Sequence, residues 1–509
     1  MTETEHLDVL VVGAGLSGIA AGHHLRATCP WATYAIFEGR DAIGGTWDLF
    51  RYPGIRSDSD MYTLGYPFRP WTGEKAIADG PDILRYIEDT AAEEGIDRHI
   101  RFRHRIVSAN WSSAEARWHV TARRTDTDET VTLTCGFLFT CTGYYRYDHG
   151  YTPDFAGTDR YGGELIHPQA WPEDFDGAGK RIVVIGSGAT AVTLIPSLAD
   201  VADHVTMLQR SPSYIAAVPP KAPIARLLEK VLPLRWSAPL TRWVAALGSQ
   251  AFFRWCQRFP NAARKLLRKG VQLHLPDDYD IDTHFSPHYD PWDQRLCADP
   301  NGLLFKAIKR GDASVLTDRI DTFTETGLLL ESGHEVDADV IVTATGLELL
   351  FMGGIEISVD GDPVELSERL TYKGMMLEGV PNLAMAVGYT NASWTLKCDL
   401  TCDYVARLLN EMRRQGRAQA TPRNRDGSVS PEPLLGLTAG YVQRSAHLFP
   451  RQGSGAPWRV HQSYLRDYRA LKRDDVVDDA MELTNPPVAD GPSGSEPAPL
   501  GSEAAPVAG

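Results

Sequence analysis

Two apolar runs in this chain each end in a glycine-rich turn, and that repetition limits the fold more than any other feature. Asp8-Val-Leu-Val-Val-Gly13 runs into Gly13-Ala-Gly15-Leu-Ser17-Gly18, and Arg181-Ile-Val-Val-Ile-Gly186 runs into Gly186-Ser187-Gly188-Ala189-Thr190-Ala191. A run of about five mostly β-branched residues suits a parallel strand covered on both faces. In such a turn the first glycine permits a tight bend, the second lets a pyrophosphate approach the backbone, and the third lets the next helix pack close. Alanine is an accepted variant at the third position. Each turn therefore predicts a dinucleotide held at a helix N-terminus, with Ser17 in the first helical turn able to reach the same phosphates.

The residue that ends the next strand separates the two sites. Tyr34-Ala-Ile-Phe-Glu38 places a carboxylate 20 residues after Gly18. A carboxylate there accepts hydrogen bonds from ribose hydroxyls and repels a 2′-phosphate. This first site fits FAD or NAD. The second strand, Val205-Thr-Met-Leu-Gln-Arg210-Ser211, ends in a guanidinium and a hydroxyl instead. That pair suits the dianionic 2′-phosphate of NADPH. The contrast assigns FAD to the first site and NADPH to the second.

Two further runs end alike, Phe137-Leu-Phe-Thr-Cys-Thr-Gly143 and Asp339-Val-Ile-Val-Thr-Ala-Thr-Gly346, without entering a helix. They read as strands that close a nucleotide domain. The resulting fold class is α/β, with two Rossmann-like domains, the second nested in the first. The expected segments are 1–145 for the first part of the FAD domain, 146–335 for the NADP domain, 336–484 for the return to the FAD domain, and 485–509 as a disordered tail rich in Pro, Gly, Ser and Ala. A helical insertion is expected over about 221–290. Its segments from Ala225 and Ala262 have helical spacing and basic faces. Contact with a membrane, or cover over a substrate entrance, is one reading of those faces; a solvated helical subdomain is the one favoured.

With 509 residues the chain is too long for one core. A net charge of −15 argues against general affinity for nucleic acid. Seven cysteines without a C-x-x-C pattern support neither a metal site nor a redox dithiol. The acidic N-terminus does not read as a secretory signal, and no apolar run reaches about 18 residues. A cytoplasmic enzyme, monomeric or homo-oligomeric, is the expectation.

Gly44-Gly45-Thr46-Trp47-Asp-Leu-Phe-Arg51-Tyr52-Pro53-Gly54-Ile-Arg56-Ser57-Asp58 and Phe155-Ala-Gly157…His167-Pro168-Gln-Ala-Trp171-Pro172 narrow the class. Together they resemble the fingerprints of type I Baeyer–Villiger monooxygenases, and the resemblance runs from about residue 6 to 470. The phrases Pro291-Trp-Asp-Gln294-Arg295 and Gly388-Tyr-Thr-Asn391-Ala-Ser-Trp394 are similar to those of the mycobacterial subgroup that activates thioamide prodrugs. The resemblance implies an NADPH- and O2-consuming flavoprotein that converts ketones to esters or lactones through a C4a-peroxyflavin. It implies that Thr46, Trp47 and Asp58 line the flavin, with Gly45 and Ile106 in the cofactor-binding set. Arg56, Ser57 and Asp58 are expected on the nicotinamide side of NADPH. Arg295 matches the family's active-site arginine, and Gln294 stands where many members carry a lysine. His167 is implied to act in an interdomain link rather than on substrate, and Trp171 to pack. Trp394 and Asn391 precede a helix expected at 398–412.

The chemistry wants a fixed cation beside the reacting oxygen. An always-charged guanidinium stabilises a peroxide anion and then an alkoxide without donating a proton. Arg295 is the candidate, with Asp58 holding it. Three alternatives compete: oxygenation of sulfur or nitrogen in thioethers and related small molecules, a disulfide reductase using Cys398 and Cys402, and a catalytically silent flavoprotein.

Overall fold

The apolar runs pair into two sheets in the computed structural model, which describes residues 4–219, 223–294, 296–425, 427–436 and 438–486. In the first sheet β1 (His6–Val12) lies between β2 (Tyr34–Phe37) and β3 (Thr130–Thr140), parallel to both. Val9, Leu10 and Val11 on β1 are fully buried, as a strand covered on both faces requires. Beyond β3 the sheet continues through the antiparallel strands Arg117–Arg124 and His104–Ser112. Two late strands join it: Glu356–Val359 pairs with His104–Ser112, and Leu383–Met385 pairs with β3.

The second sheet is wholly parallel. Its spatial order is β7 (Ala313–Thr317), β6 (His204–Gln209), β5 (Arg181–Ile185), β8 (Val340–Thr343) and β4 (Glu164–Ile166). The place of β8 corrects the expected boundary at 336. Val340 pairs with both Ile182 and Glu164, so this strand still belongs to the second sheet. The chain re-enters the first sheet only at Glu356. An apolar, β-branched run fits any doubly covered sheet, and only its non-local partners decide which.

Helix α1 (Leu16–Thr28) follows β1 and packs against α8 (Trp394–Gln415). α8 starts four residues earlier than its apolar pattern predicts and ends on Gly416 in the left-handed conformation, φ +61°. α2 (Thr46–Leu49) and α3 (Met61–Leu64) are single turns in the segment that follows β2. α4 (Ala189–Ala199) follows β5. The insertion contains α5 (Pro223–Val231), α6 (Leu234–Arg258) and α7 (Pro260–Gln272). The segments from Ala225 and Ala262 lie in α5 and α7. The 25-residue α6 lies between them and carries Pro239 within its first turns, a residue that argues against a helix when read from sequence alone. Arg242 anchors α6, donating to the carbonyls of Tyr62, Thr63 and Gly65 around α3. Among the described residues no helix is long and apolar enough to cross a membrane. The tail expected over 485–509 lies outside the described residues from 487 onward.

Candidate active site

Each glycine turn is forced by a carbonyl behind it. Gly13 has φ +103°, and a Cβ there would sit 2.7 Å from the Cys141 carbonyl oxygen, just past the end of β3. Gly186 has φ +137°, and its Cβ would sit 2.4 Å from the Ala344 carbonyl oxygen, just past β8. The two strands that share a Thr-Gly ending thus occupy corresponding places. Gly18 is a packing glycine: its Cβ would fall 1.8 Å from the Gly13 carbonyl oxygen. Ala191, at the corresponding position, is fully buried on α4. Neither Gly18 nor Ala191 reaches the cavity, so both act on the turn's shape and not on a ligand.

The two turns open into one cavity of about 1080 Å³. Gly13, Gly15 and Ser17 line one part, and Gly186, Ser187, Gly188, Ala189 and Thr190 another. α1 and α4 both start on a glycine with no side-chain cap, leaving first-turn N–H groups for a ligand. A Cβ at Gly188 would meet no protein atom within 4 Å. These features fit phosphate groups at both helix ends.

The residues expected to discriminate the ribose, Glu38 and Arg210 with Ser211, all line this cavity. Glu38 is buried, and its carboxylate accepts from the backbone N–H of Ala14 at 2.7 Å and of Arg40 at 2.9 Å. Its charge is therefore fixed in direction. Ile106, buried, lines the same part of the cavity. Arg210 and Ser211 are exposed at the cavity edge. The Ser187 hydroxyl donates to the Ser211 carbonyl at 3.1 Å and bonds the Ser213 hydroxyl at 2.8 Å. That contact ties the second glycine turn to the strand end bearing Arg210.

The segment from Gly45 to Asp58 runs between the two turns. Gly45, φ +56°, precedes α2, and Thr46 and Trp47 line the cavity from it. Tyr52 is buried with α4, and a Cβ at Gly54 would fall 2.1 Å from the Ser197 Oγ of that helix. The same segment is tied to the first unit, where the Ser57 amide donates to the Ala78 carbonyl at 3.0 Å. Arg56, Ser57 and Asp58 follow, all lining the cavity. Burial pulls the Arg56 guanidinium below its usual value, against the nearby carboxylates of Asp299 and Asp58. Its Nη2 is buried with no hydrogen-bond partner among the described residues, which suits a ligand acceptor. Asp58 is exposed, and its charge acts on both Arg56 and Tyr52. Gln294 also lines the cavity. Arg295 lies outside the described residues.

His167 holds two chain passages together. Its Nε2 lies 3.3 Å from the Gly346 carbonyl oxygen, and its Nδ1 accepts from the Gln169 amide at 3.1 Å. Burial lowers its pKa, which favours the neutral ring this bonding needs. Trp171 packs on Phe175, with ring centroids 4.9 Å apart. Trp394, the first residue of α8, donates to Ser17 Oγ at 3.0 Å and stacks near Tyr144. Asn391 does not line this cavity; its amide donates to the Gln462 carbonyl at 3.0 Å. Tyr144 and Tyr145 also form the wall, with hydroxyls 3.0 Å apart. They directly follow the Thr142-Gly143 strand end, and that position is the signal sequence reasoning passed over. Arg444, stacked on the Tyr151 ring at 3.4 Å, carries no local motif.

The seven cysteines are buried, and no disulfide joins them among the described residues. Burial pushes the Cys398 thiol up to about 12 and that of Cys402 well above its usual value. Such thiols make a poor redox pair. Among the described residues no group of His, Cys, Asp or Glu could hold a metal ion.

Residues 75–222 match the flavin-binding monooxygenase-like family, and residues 11–76 match an NAD(P)-binding Rossmann-like domain. The FAD-containing monooxygenase EthA of Mycobacterium tuberculosis is 53% identical over 485 residues, 95% of this chain and 99% of that one. The putative FAD-containing monooxygenase MymA of the same organism is 50% identical, covering 94% and 98%. A structure of oxidized steroid monooxygenase bound to NADP superposes with a TM-score of 0.69 at 27% identity, covering 82% of this chain and 87% of that one. The chain therefore belongs to the family of flavin-binding, FAD-containing monooxygenases.

Proposed function

We propose that this monooxygenase holds FAD at the first glycine turn and NADPH at the second, and oxygenates ketones to esters or lactones. The observation that carries the reading is that both turns and the Arg56-Ser57-Asp58 strip open on one cavity. Bound FAD would supply the redox chemistry, accepting a hydride from NADPH and activating O2 for transfer of one oxygen atom.

The chain's own groups supply binding, orientation and charge. The uncapped start of α1 would bind the FAD pyrophosphate, while Glu38 accepts from ribose hydroxyls. Gly188 and the first turn of α4 would bind the NADPH pyrophosphate. The buried Nη2 of Arg56 would hold the nicotinamide end by a donated hydrogen bond. Trp47, Tyr144 and Trp394 would shield the reacting centre from water. By the family resemblance, Arg295 would stabilise negative charge on the transferred oxygen and on the substrate's carbonyl oxygen.

Arg210→Ala provides a test of the second site. A charged hydrogen bond of ~1.5–3 kcal/mol converts to roughly a ten- to hundredfold rise in KM for NADPH. Turnover with NADH should scarcely change. An equal loss with both coenzymes would remove Arg210 from 2′-phosphate recognition.

The reaction itself is tested with an aryl ketone and a thioether, following NADPH oxidation, O2 uptake and product mass. Ester formation from the ketone, with one O2 consumed per NADPH, is expected. If only the thioether is oxygenated, the protein is a sulfur monooxygenase of the same family.

A further inference from the structure

Surface apolar residues are concentrated in one part of this molecule. Of the fifteen large hydrophobic side chains exposed among the described residues, eleven lie between Ile224 and Leu273. They are ordered along the helices. On α5, Ile224, Leu227 and Val231 recur at intervals of three and four and are 54–67% exposed, while Ala225 alone is buried. On α6, Trp236, Leu240, Val244 and Leu247 form one exposed stripe. On α7, Leu266 and, just beyond its end, Leu273 continue a line that starts at Phe259. Each helix has its buried contacts and, besides them, an apolar line facing outward.

The same residues are strongly basic. From 223 to 273 there are ten Lys and Arg against one acidic residue, Glu229, in a chain whose net charge is −15. Arg242 is spent inside, but eight others, among them Arg226, Lys230, Arg258 and Lys269, are exposed. Amphipathic helices with cationic flanks and a bulky apolar line are built to lie in the plane of a bilayer interface.

We propose that α5, α6 and α7 form a docking face for an anionic lipid bilayer, lying along the surface with their apolar lines in the headgroup–acyl boundary. Charge decides between occupants. A second copy of this chain would bring a second set of eight exposed cations against the first, whereas acidic headgroups neutralise them. Because Arg242 ties α6 to the carbonyls of α3, and α3 follows the Asp58 strip within three residues, the docked face stands beside the proposed reaction cavity. The proposal does not depend on the reaction being Baeyer–Villiger oxidation.

The test is flotation of the FAD-loaded full chain with phosphatidylcholine vesicles, with and without phosphatidylglycerol. Each near-surface cation contributes on the order of fivefold to binding, so binding to the anionic vesicles should exceed that to neutral ones by tenfold or more and fall with added salt. Leu227→Glu with Val231→Glu, and separately Leu240→Glu with Val244→Glu, should each lower binding about tenfold or more at unchanged flavin content. Val201→Glu, at an exposed site outside the insertion, should bind as the unaltered protein does. Equal binding by all variants, or no preference for the anionic vesicles, would overturn the proposal. So would Glu pairs that leave vesicle binding unmoved but split a dimer in light scattering, which would make this face a contact between copies.

Discussion

Arg295→Ala is expected to lower the rate of ester formation from a ketone by about 10²–10³-fold, the usual effect of removing one preorganised donor from a developing oxyanion. Flavin content and the rate of reduction by NADPH should stay close to those of the unaltered protein. Oxygen uptake would then continue with hydrogen peroxide replacing ester, because the group removed serves the oxygen-transfer step and not hydride delivery. Arg295→Lys should restore only part of the loss. An ammonium is a compact point charge without the planar fork, and it can surrender a proton when desolvated. The measurement is product by mass against NADPH consumed. Undiminished ester from the alanine variant would remove Arg295 from the chemistry and leave Arg56 as the cation to test next.

Gly18→Ala should be among the most damaging single methyls that the described residues could take. The added Cβ would lie 1.8 Å from the Gly13 carbonyl oxygen, and both partners are backbone, so no side chain can swing away. Helix α1 would have to lift from the turn that shapes the first nucleotide site. Overpacking costs typically ~1–3 kcal/mol and occasionally more, and a backbone clash belongs at or above the top of that range. We expect loss of bound flavin and a lowered Tm. Gly188→Ala is the informative contrast. Its Cβ would meet no protein atom within 4 Å, so the protein should fold, keep its flavin and lose affinity for NADPH alone. Full flavin occupancy and an unchanged Tm in Gly18→Ala would refute the packing role; loss of flavin from Gly188→Ala would refute the division of labour between the two turns.

What was legible in the sequence was local. The glycine turns, the residues Glu38 and Arg210 that end the following strands, and the strip from Gly45 to Asp58 could be read because each motif is written in consecutive residues. Gly13, Gly15, Gly186, Gly188, Glu38, Arg210 and much of the strip, Arg56, Ser57 and Asp58 included, line the cavity, whereas Gly18 and Ala191 face the turns themselves. What could not be read was pairing. Val340–Thr343 has the composition of a strand in either sheet, and only its hydrogen bonds to Ile182 and its neighbours place it in the second. Arg444 reaches the cavity from a segment more than two hundred residues from either glycine turn, with no pattern to announce it. The insertion shows the same limit. Its helical spacing was visible at Ala225 and Ala262, but whether an apolar line faces inward or outward depends on what the fold sets beside it.

The contact at Gly54 has a consequence for how the two halves of the cavity are spaced. The hairline gap between that α-carbon and Ser197 Oγ is occupied by nothing larger than a hydrogen, while the flanking residues are clamped on the other side through Ser57 and Ala78. The strip thus works as a feeler gauge between α4 and the segment around Ala78. A methyl at residue 54 would act as a shim: the Ser197 hydroxyl can swing aside, but the Thr193 carbonyl oxygen at 3.0 Å and the positive φ of +76° cannot, so the strip would be pressed away from α4.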